Sequence, residues 1–171
     1  MREAYELAYA AASAFCAESG GEDHGGFPTL VAMDDVSFNR PVNVGDVVSL
    51  NARVVYTGAN EAFVSPHTRE TSLYQVRVDI GIINLRSGKR SVSNDFHFTF
   101  MSRAPSTAAD KGDHTFRTLR VPAVIPTTYQ EGMEWLYGRR RMLDSLRYAE
   151  ELGSYAAQPW AYPEVEPQGK P

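Results

Sequence analysis

The sequence predicts an α+β fold in which one long antiparallel sheet packs around a single alanine-rich helix, with a further helical segment after it. Three observations carry this expectation. Leu7, Ala8, Ala11, Ala12 and Phe15 recur at the three-and-four spacing of one helical face. Downstream, Tyr74, Val76, Val78, Ile80 and Ile82 alternate with Gln75, Arg77, Asp79 and Gly81, the period of a strand. A turn at Ser87-Gly88-Lys89 then joins that run to another carrying Phe96, Phe98 and Phe100 on one side, as in a hairpin. A helix followed by hairpin-linked strands is the order of an α+β domain with one antiparallel sheet.

The helix is expected over residues 2–17. Ala4, Ala8, Ala10, Ala11, Ala12 and Ala14 are strong helix formers, and Ala10 and Ala14 are expected to widen the apolar face. Small side chains let another backbone approach, so the helix suits being wrapped by a sheet; lying flat on one sheet face is the alternative. Cys16 is the one cysteine, which excludes an internal disulfide. With no base evident beside it, it reads as a small buried apolar residue.

A glycine-rich acidic connection, ESGGEDHGGFP, leads to a strand at about 29–38. Its apolar phase shifts by one residue between Val31/Met33 and Val36/Phe38, with Asp34 and Asp35 between, which predicts a β-bulge there. NRPVNVGD is a turn, and further strands follow at about 47–56, 73–85 and 91–102, with a weaker one near Ala62–Val64 beside an insertion, SPHTRET. The domain is expected to span residues 1–103. A flexible connection at 104–125, a helical extension at 126–153 and a proline-rich tail at 154–171 complete the chain. Gly138 is expected to break the extension into two helices.

With 171 residues and a net charge of −4, the chain lacks the basic face that nucleic acid or an anionic membrane rewards. It has no apolar run of the length that spans a bilayer, and Met1 is expected to open directly into helix, with no targeting segment expected. Phosphate-loop, dinucleotide, paired-cysteine zinc and nucleophile-elbow patterns are absent from the sequence. His24, His67, His97 and His114 have no metal-ligand spacing, so neither a metal nor another cofactor is expected. His97, between two phenylalanines on a strand, faces away from them, toward a helix layer or solvent.

Asp34 and Asp35 are the catalytic candidates, because adjacent carboxylates in an otherwise apolar strand need a partner or a purpose and one could activate water as general base. Local capping or pairing is the alternative. The run Arg139-Arg140-Arg141 is either a phosphate clamp or a solvated cluster near a helix end.

MREAYELAYAAASAF, VAMDDVSFNRPVNVGDVVSL, NDFHFTFMS and PTTYQEGMEWLYGRRR together resemble the acyl-CoA thioesterase 9 family, over roughly residues 1–141. F-x-x-P-V-x-V-G-D is shared by many members of the superfamily; the helix, F-H-F-T-F-M and T-Y-x-E-x-M are more specific to this family. The resemblance implies the hotdog fold, in which a long sheet wraps a central helix, and hydrolysis of fatty acyl-CoA to free fatty acid and coenzyme A. It implies a mitochondrial location, a cytoplasmic one being the alternative. Family members carry two hotdog domains in tandem, and this chain is similar to the second. In the family a first strand and a glycine-rich loop precede the helix; the loop carries the polar residues credited with catalysis, and its amides with the helix N-terminus hold the thioester oxygen. Met1 falls just after that loop, so the first strand and catalytic loop are expected to be missing. No catalytic residue therefore carries over by resemblance, and Asp34 and Asp35 match acidic family positions only. Arg40, Lys89 and Arg90, near strand ends, are the candidates to meet the substrate phosphates. The partners implied are acyl-CoA and a second hotdog unit, with no nucleic acid and no membrane. A non-catalytic hotdog module, acting as an interface or ligand-binding subunit in a larger assembly, is the competing reading.

Overall fold

Ala4, Ala8, Ala12 and Cys16, spaced four apart along α1 (Arg2–Ser19), are each at most 1% exposed and form the line of closest approach between helix and sheet. Residues without bulk at that line let all four long strands reach the helix. The computed structural model describes residues 1–19, 26–34, 40–58, 73–105, 116–119 and 121–156. The calls at Asp35, His24, His67, His114, Ala62–Val64 and most of the tail lie outside them. Ala10 and Ala14 do not widen the buried face; both are exposed, because the sheet takes the Ala4–Cys16 line and its flanks, Leu7, Ala11 and Phe15.

The strands are β1 (Phe27–Met33), β2 (Asp46–Thr57), β3 (Leu73–Asn84), β4 (Arg90–Pro105) and the short β5 (Phe116–Thr118). They form one antiparallel sheet in the order β1-β4-β3-β2, with β5 pairing the end of β4. β5 lies within the stretch expected to be an irregular connection. Near it, Val121 is buried in the core and the Val124 amide donates to Thr57 Oγ1 at 3.0 Å.

Strand period divides the side chains cleanly. Tyr74, Val76, Val78, Phe96, Phe98 and Phe100 point to α1 and are at most 2% exposed, with Leu50, Ala52 and Val54 beside them. Each such ring contributes about 1.5–3 kcal/mol of transfer free energy. Rings on the helix extend the contact, Tyr5 against Phe98 at 6.0 Å and Tyr9 against Phe100 at 6.3 Å between centroids. Cys16 is buried as expected, its sulfur 3.0 Å from the Tyr74 hydroxyl. Burial and that contact push the Tyr74 phenol well above its ordinary range.

β1 carries a bulge at Val31, while the phase shift expected between Val31/Met33 and Val36/Phe38 falls mostly on residues outside the described ones. The β1–β4 register slips between Leu30 and Ala32, where the exposed Val31 is the extra residue. Among the described residues the β1–β4 register runs to Met33, and the Asp34 amide donates to the His97 carbonyl at 3.1 Å. Other slips lie at Val55 in β2 and Ser93 in β4. The hairpin between β3 and β4 turns through Gly88 at φ +67°, a left-handed conformation that suits glycine.

The second helix, α2 (Tyr129–Ala156), starts three residues later than expected and is continuous through Gly138. Thr128 caps it: its hydroxyl accepts from the Glu131 amide at 3.2 Å, and Glu131 accepts in return from the Thr128 amide at 3.1 Å. These bonds and those from Thr127 hold the Glu131 carboxyl below its usual range. Gly138 is a place of close approach instead of a break. A Cβ there would stand 2.9 Å from Gln75 Oε1, 3.0 Å from Tyr56 Cβ and 3.1 Å from Val55 Cγ2. The helix thus lies on the face of the sheet opposite α1, where Val55, Tyr56, Leu73 and Met142 form a second small core with Trp135.

Candidate active site

An apolar cavity of about 650 Å³ opens beside the first turn of α1. Val48, Leu50, Ile80 and Phe96 form its wall from β2, β3 and β4, and Ala4 closes the helix side. Its polar groups are few: Glu3, Arg40, Ser93 and Asn94. These positions follow from strand period, since Leu50, Ile80 and Phe96 sit on the helix-facing side. The extra residue at Ser93 turns its hydroxyl to the carbonyl of Arg40, which it meets at 3.2 Å, pinning the segment before β2 to β4.

A smaller cleft of about 340 Å³ adjoins this cavity, and Arg40 and Pro41 line both. The cleft is polar, with Lys89, Asn43, Asn84, Ser87 and Ser91 around it. Its carboxylate, Asp46, is already engaged by Asn84 Nδ2 at 3.0 Å and by the Asn43 amide at 3.2 Å. The fold therefore brings Arg40 and Lys89, 49 positions apart in sequence, to one cleft beside an apolar chamber. Arg90 lies apart from them, lining a depression with Ser49 and Val92.

Asp34 is elsewhere. Its carboxylate, 11% exposed, accepts from Arg141 Nη1 at 3.2 Å and from Ser145 Oγ at 3.0 Å, so both oxygens are committed to α2. It does not line the cavity. Of the basic run, Arg141 is this ion-pair partner, and Arg140 pairs with Asp144 one turn on at 3.8 Å.

The contact between α2 and the sheet is a seam of charge that period alone leaves looking like a solvent face. Arg53 Nη2 lies 2.9 Å from both Asp79 and Glu134, and Arg77 lies 2.7 Å from Asp79 and 3.7 Å from Asp95 and Glu134. His97, 4% exposed, is in this seam, with Nε2 3.1 Å from Asp95 and Nδ1 3.4 Å from Gln75 Oε1. Burial, then the charge of Arg141, pull the imidazole below its ordinary value against the opposing pull of Asp95 and Asp34. Burial pushes the Asp95 carboxyl up, but the bond with His97 and the charge of Arg77 outweigh it and hold the group below the usual carboxylate range. The signal that would have exposed this seam is the match of Arg53 and Arg77 in strands to Glu134 in a later helix.

Comparison with known proteins follows the same lines. The profile of the family described as "Thioesterase superfamily" matches residues 5–66. Acyl-coenzyme A thioesterase 9, mitochondrial, of Homo sapiens is 35% identical over 140 residues, 82% of this chain; the chain spans about a quarter, 24%, of that protein. Among solved structures, an acyl-CoA hydrolase from Bacillus cereus superposes with a TM-score of 0.61 at 22% identity, over 91% of this chain and 80% of that one. A structure described as an apo-hexameric acyl-CoA thioesterase superposes with a TM-score of 0.53 at 22% identity, over 75% and 70%. These likenesses identify the architecture as the hotdog fold. By sequence and fold the chain belongs to the thioesterase superfamily and, within it, groups with the acyl-CoA thioesterase 9 family.

Proposed function

We propose that this chain binds fatty acyl-CoA and belongs to an enzyme that hydrolyses it to free fatty acid and coenzyme A. One observation carries the reading: Arg40 and Pro41 are shared by an apolar chamber and a polar cleft that also holds Lys89. A molecule with a hydrocarbon end and a phosphate-bearing end fits that pair of spaces. The chamber takes the acyl chain, and Arg40 and Lys89 meet the phosphates as charge-assisted donors. Arg90, in a separate depression, lies outside this pair of spaces. Thioester hydrolysis requires that water attack the carbonyl carbon and that the coenzyme A thiolate leave. The first turn of α1 offers amides without helical acceptors toward the developing oxyanion at the chamber mouth. Glu3 is the carboxylate among the lining residues. Asp34, with both oxygens occupied, is a poor base in this state of the molecule.

Assembly belongs to the same reading. β2 pairs with β3 on one side and has no strand on its other side among the described residues, where Val47 and Val48 are about 40% exposed. An open apolar edge is a template for another strand, and one of the similar structures is hexameric. A second hotdog unit, in another copy or in tandem, completes the sheet. The mitochondrial relative supports a mitochondrial location.

The test compares acyl-CoA with an acyl thioester of pantetheine, which has the same reacting bond without the nucleotide phosphates. Arg40→Ala with Lys89→Ala is expected to raise KM for acyl-CoA about tenfold or more and leave the pantetheine thioester unchanged. Equal effects on both substrates, or none, would dispose of the phosphate assignment. Coenzyme A binding without any turnover would support the non-catalytic module instead.

A further inference from the structure

Asp46 is a carboxylate in the cleft assigned to phosphates, where its charge works against the ligand. Its hydrogen bonds explain its place. Oδ2 accepts from the Asn43 backbone amide at 3.2 Å and from Asn43 Nδ2 at 3.3 Å, and Oδ1 accepts from Asn84 Nδ2 at 3.0 Å. The Asp46 amide in turn donates to the Asn43 carbonyl at 3.1 Å, closing a tight turn.

The two asparagines belong to separate stretches of chain, and each stretch carries one cation of the cleft. Asn43 lies three residues after Arg40, with Pro41 fixing one backbone angle between them, and Ser93 Oγ holds the Arg40 carbonyl at 3.2 Å. Asn84 ends β3 and organises the hairpin turn that leads to Lys89. Its Oδ1 accepts from the Arg86 amide at 3.1 Å and the Ser87 amide at 2.9 Å. Its backbone amide donates to the Lys89 carbonyl at 3.0 Å, and its carbonyl accepts from the Gly88 amide at 2.8 Å. The orientation of the Asn84 side chain is therefore fixed by its partners: two backbone donors require its oxygen, and a carboxylate requires its nitrogen.

We propose that Asp46 and Asn84 are positioning residues for coenzyme A, their mutual hydrogen bond joining the Arg40 turn to the Lys89 turn and setting the gap that a phosphate spans. The inference rests on the assignment of this cleft to the phosphates and adds what holds the two cations in place before the ligand arrives. Neither residue lines the chamber, so neither acts on the acyl group. A guanidinium and an ammonium already gathered cost less ordering when the ligand binds.

The charge of Asp46 and its hydrogen bonds have opposite effects on the ligand, which makes the role measurable. Asp46→Asn removes a negative charge from the cleft, and charge alone would tighten phosphate binding. The same change takes away one of two acceptors. Whichever way the new amide turns, it sets a donor against Asn43 or against Asn84, and turning Asn84 instead sets a donor against the amides of Arg86 and Ser87. The bridge is lost in every arrangement, so the positioning role predicts weaker binding. Exchanging the pair, Asp46→Asn with Asn84→Asp, supplies a donor at 46 and an acceptor at 84, keeps the net charge and leaves an oxygen for every turn amide.

Steady-state kinetics with acyl-CoA and with the pantetheine thioester tests this, or the Kd for coenzyme A where turnover is too slow to follow. Asp46→Asn is expected to raise KM for acyl-CoA about 3- to 10-fold, the worth of one hydrogen bond, with kcat and the pantetheine thioester unchanged. The exchanged pair is expected to return to within about twofold of wild type. A KM that falls or stays put in Asp46→Asn, an equal rise for the pantetheine thioester, or no rescue by the exchange would overturn the proposal. Arg40→Ala with Lys89→Ala separates the two levels: if that variant raises KM and Asp46→Asn does not, the phosphate assignment stands and the positioning role falls. If it has no effect, both fall. Should Asp46→Asn not fold, Asn84→Ser decides, because it removes the bridge without changing charge and keeps an oxygen for the turn amides. An unchanged KM there would equally overturn the proposal.

Discussion

Glu134 of α2 sits 2.9 Å from Arg53 of β2, and the pair ties a helix late in the chain to the strand that also walls the apolar cavity. Arg53 and Leu50 lie on opposite faces of β2, so whatever α2 fixes on one side bears on the shape of the cavity on the other. Glu134 is 11% exposed and also lies 3.7 Å from Arg77. Removing it leaves two guanidinium groups sharing Asp79 and Asp95. Glu134→Ala is expected to lower stability by about 3 kcal/mol, the low end for a broken buried pair because Arg53 remains 38% exposed. Chemical denaturation of both proteins measures it. A variant within a few tenths of a kcal/mol of wild type would mean that the ion pair holds nothing.

Two glycines of the same helix give opposite expectations. At Gly132 an added Cβ meets nothing within 4 Å, so Gly132→Ala is expected to stabilise by up to about 1 kcal/mol through helix propensity. At Gly138 the same methyl meets Gln75, Tyr56 and Val55 at 2.9–3.1 Å, two of them not able to swing away. Overpacking of about 1–3 kcal/mol exceeds the propensity gain there, so Gly138→Ala is expected to destabilise. Equal melting shifts in the two variants would show that α2 does not press on the sheet at residue 138.

The contrast also shows what could be read from the sequence. Periodicity gave α1 and the long strands because one side chain in two, or in three to four, must avoid water, and that constraint is local. Gly138 looked like a break for an equally local reason, its poor helix propensity. Its real constraint is contact with Gln75, a residue far away in the chain. Likewise Asp34 was conspicuous as a charge among apolar residues, but the partner that explains it, Arg141, lies 107 positions on. Arg77 and Asp79 kept perfect strand alternation and so resembled a solvated face until α2 was laid over them. Arg40 and Lys89 were legible as charges near strand ends; that they line one cleft depends on Ser93, whose bulge no apolar pattern marks.

The seam predicts how stability follows pH. The folded state holds His97 below its unfolded value of about 6.5, so above that pH both states are neutral there and this contribution is fully present. As pH falls past it, the unfolded chain takes up a proton that the folded chain refuses, and stability declines until the folded pKa is passed. Asp95 is also held low, so its contribution stands above the unfolded value of about 3.9 and is lost only in stronger acid. Urea denaturation from pH 8 to pH 5 is expected to show a decline that His97→Gln flattens. A stability that rises on acidification through this range would contradict the direction assigned to His97.

The cavity wall sets the last expectation. Leu50 lines it from β2 and is packed from behind against the core, so a larger side chain at 50 has room to grow only into the chamber. Leu50→Phe therefore shortens the space for an acyl chain without touching Arg40 or Lys89 in the adjoining cleft. Each methylene kept out of the chamber forfeits about 0.8 kcal/mol, so excluding two lowers kcat/KM, or affinity, about tenfold. The loss is expected to grow with acyl chain length and to be smallest for butyryl-CoA. A series from butyryl- to palmitoyl-CoA, measured by thiol release or by calorimetric binding, checks it, with a thermal melt to show that the variant folds. A uniform loss across chain lengths in a folded variant would mean that the acyl group lies somewhere other than this chamber.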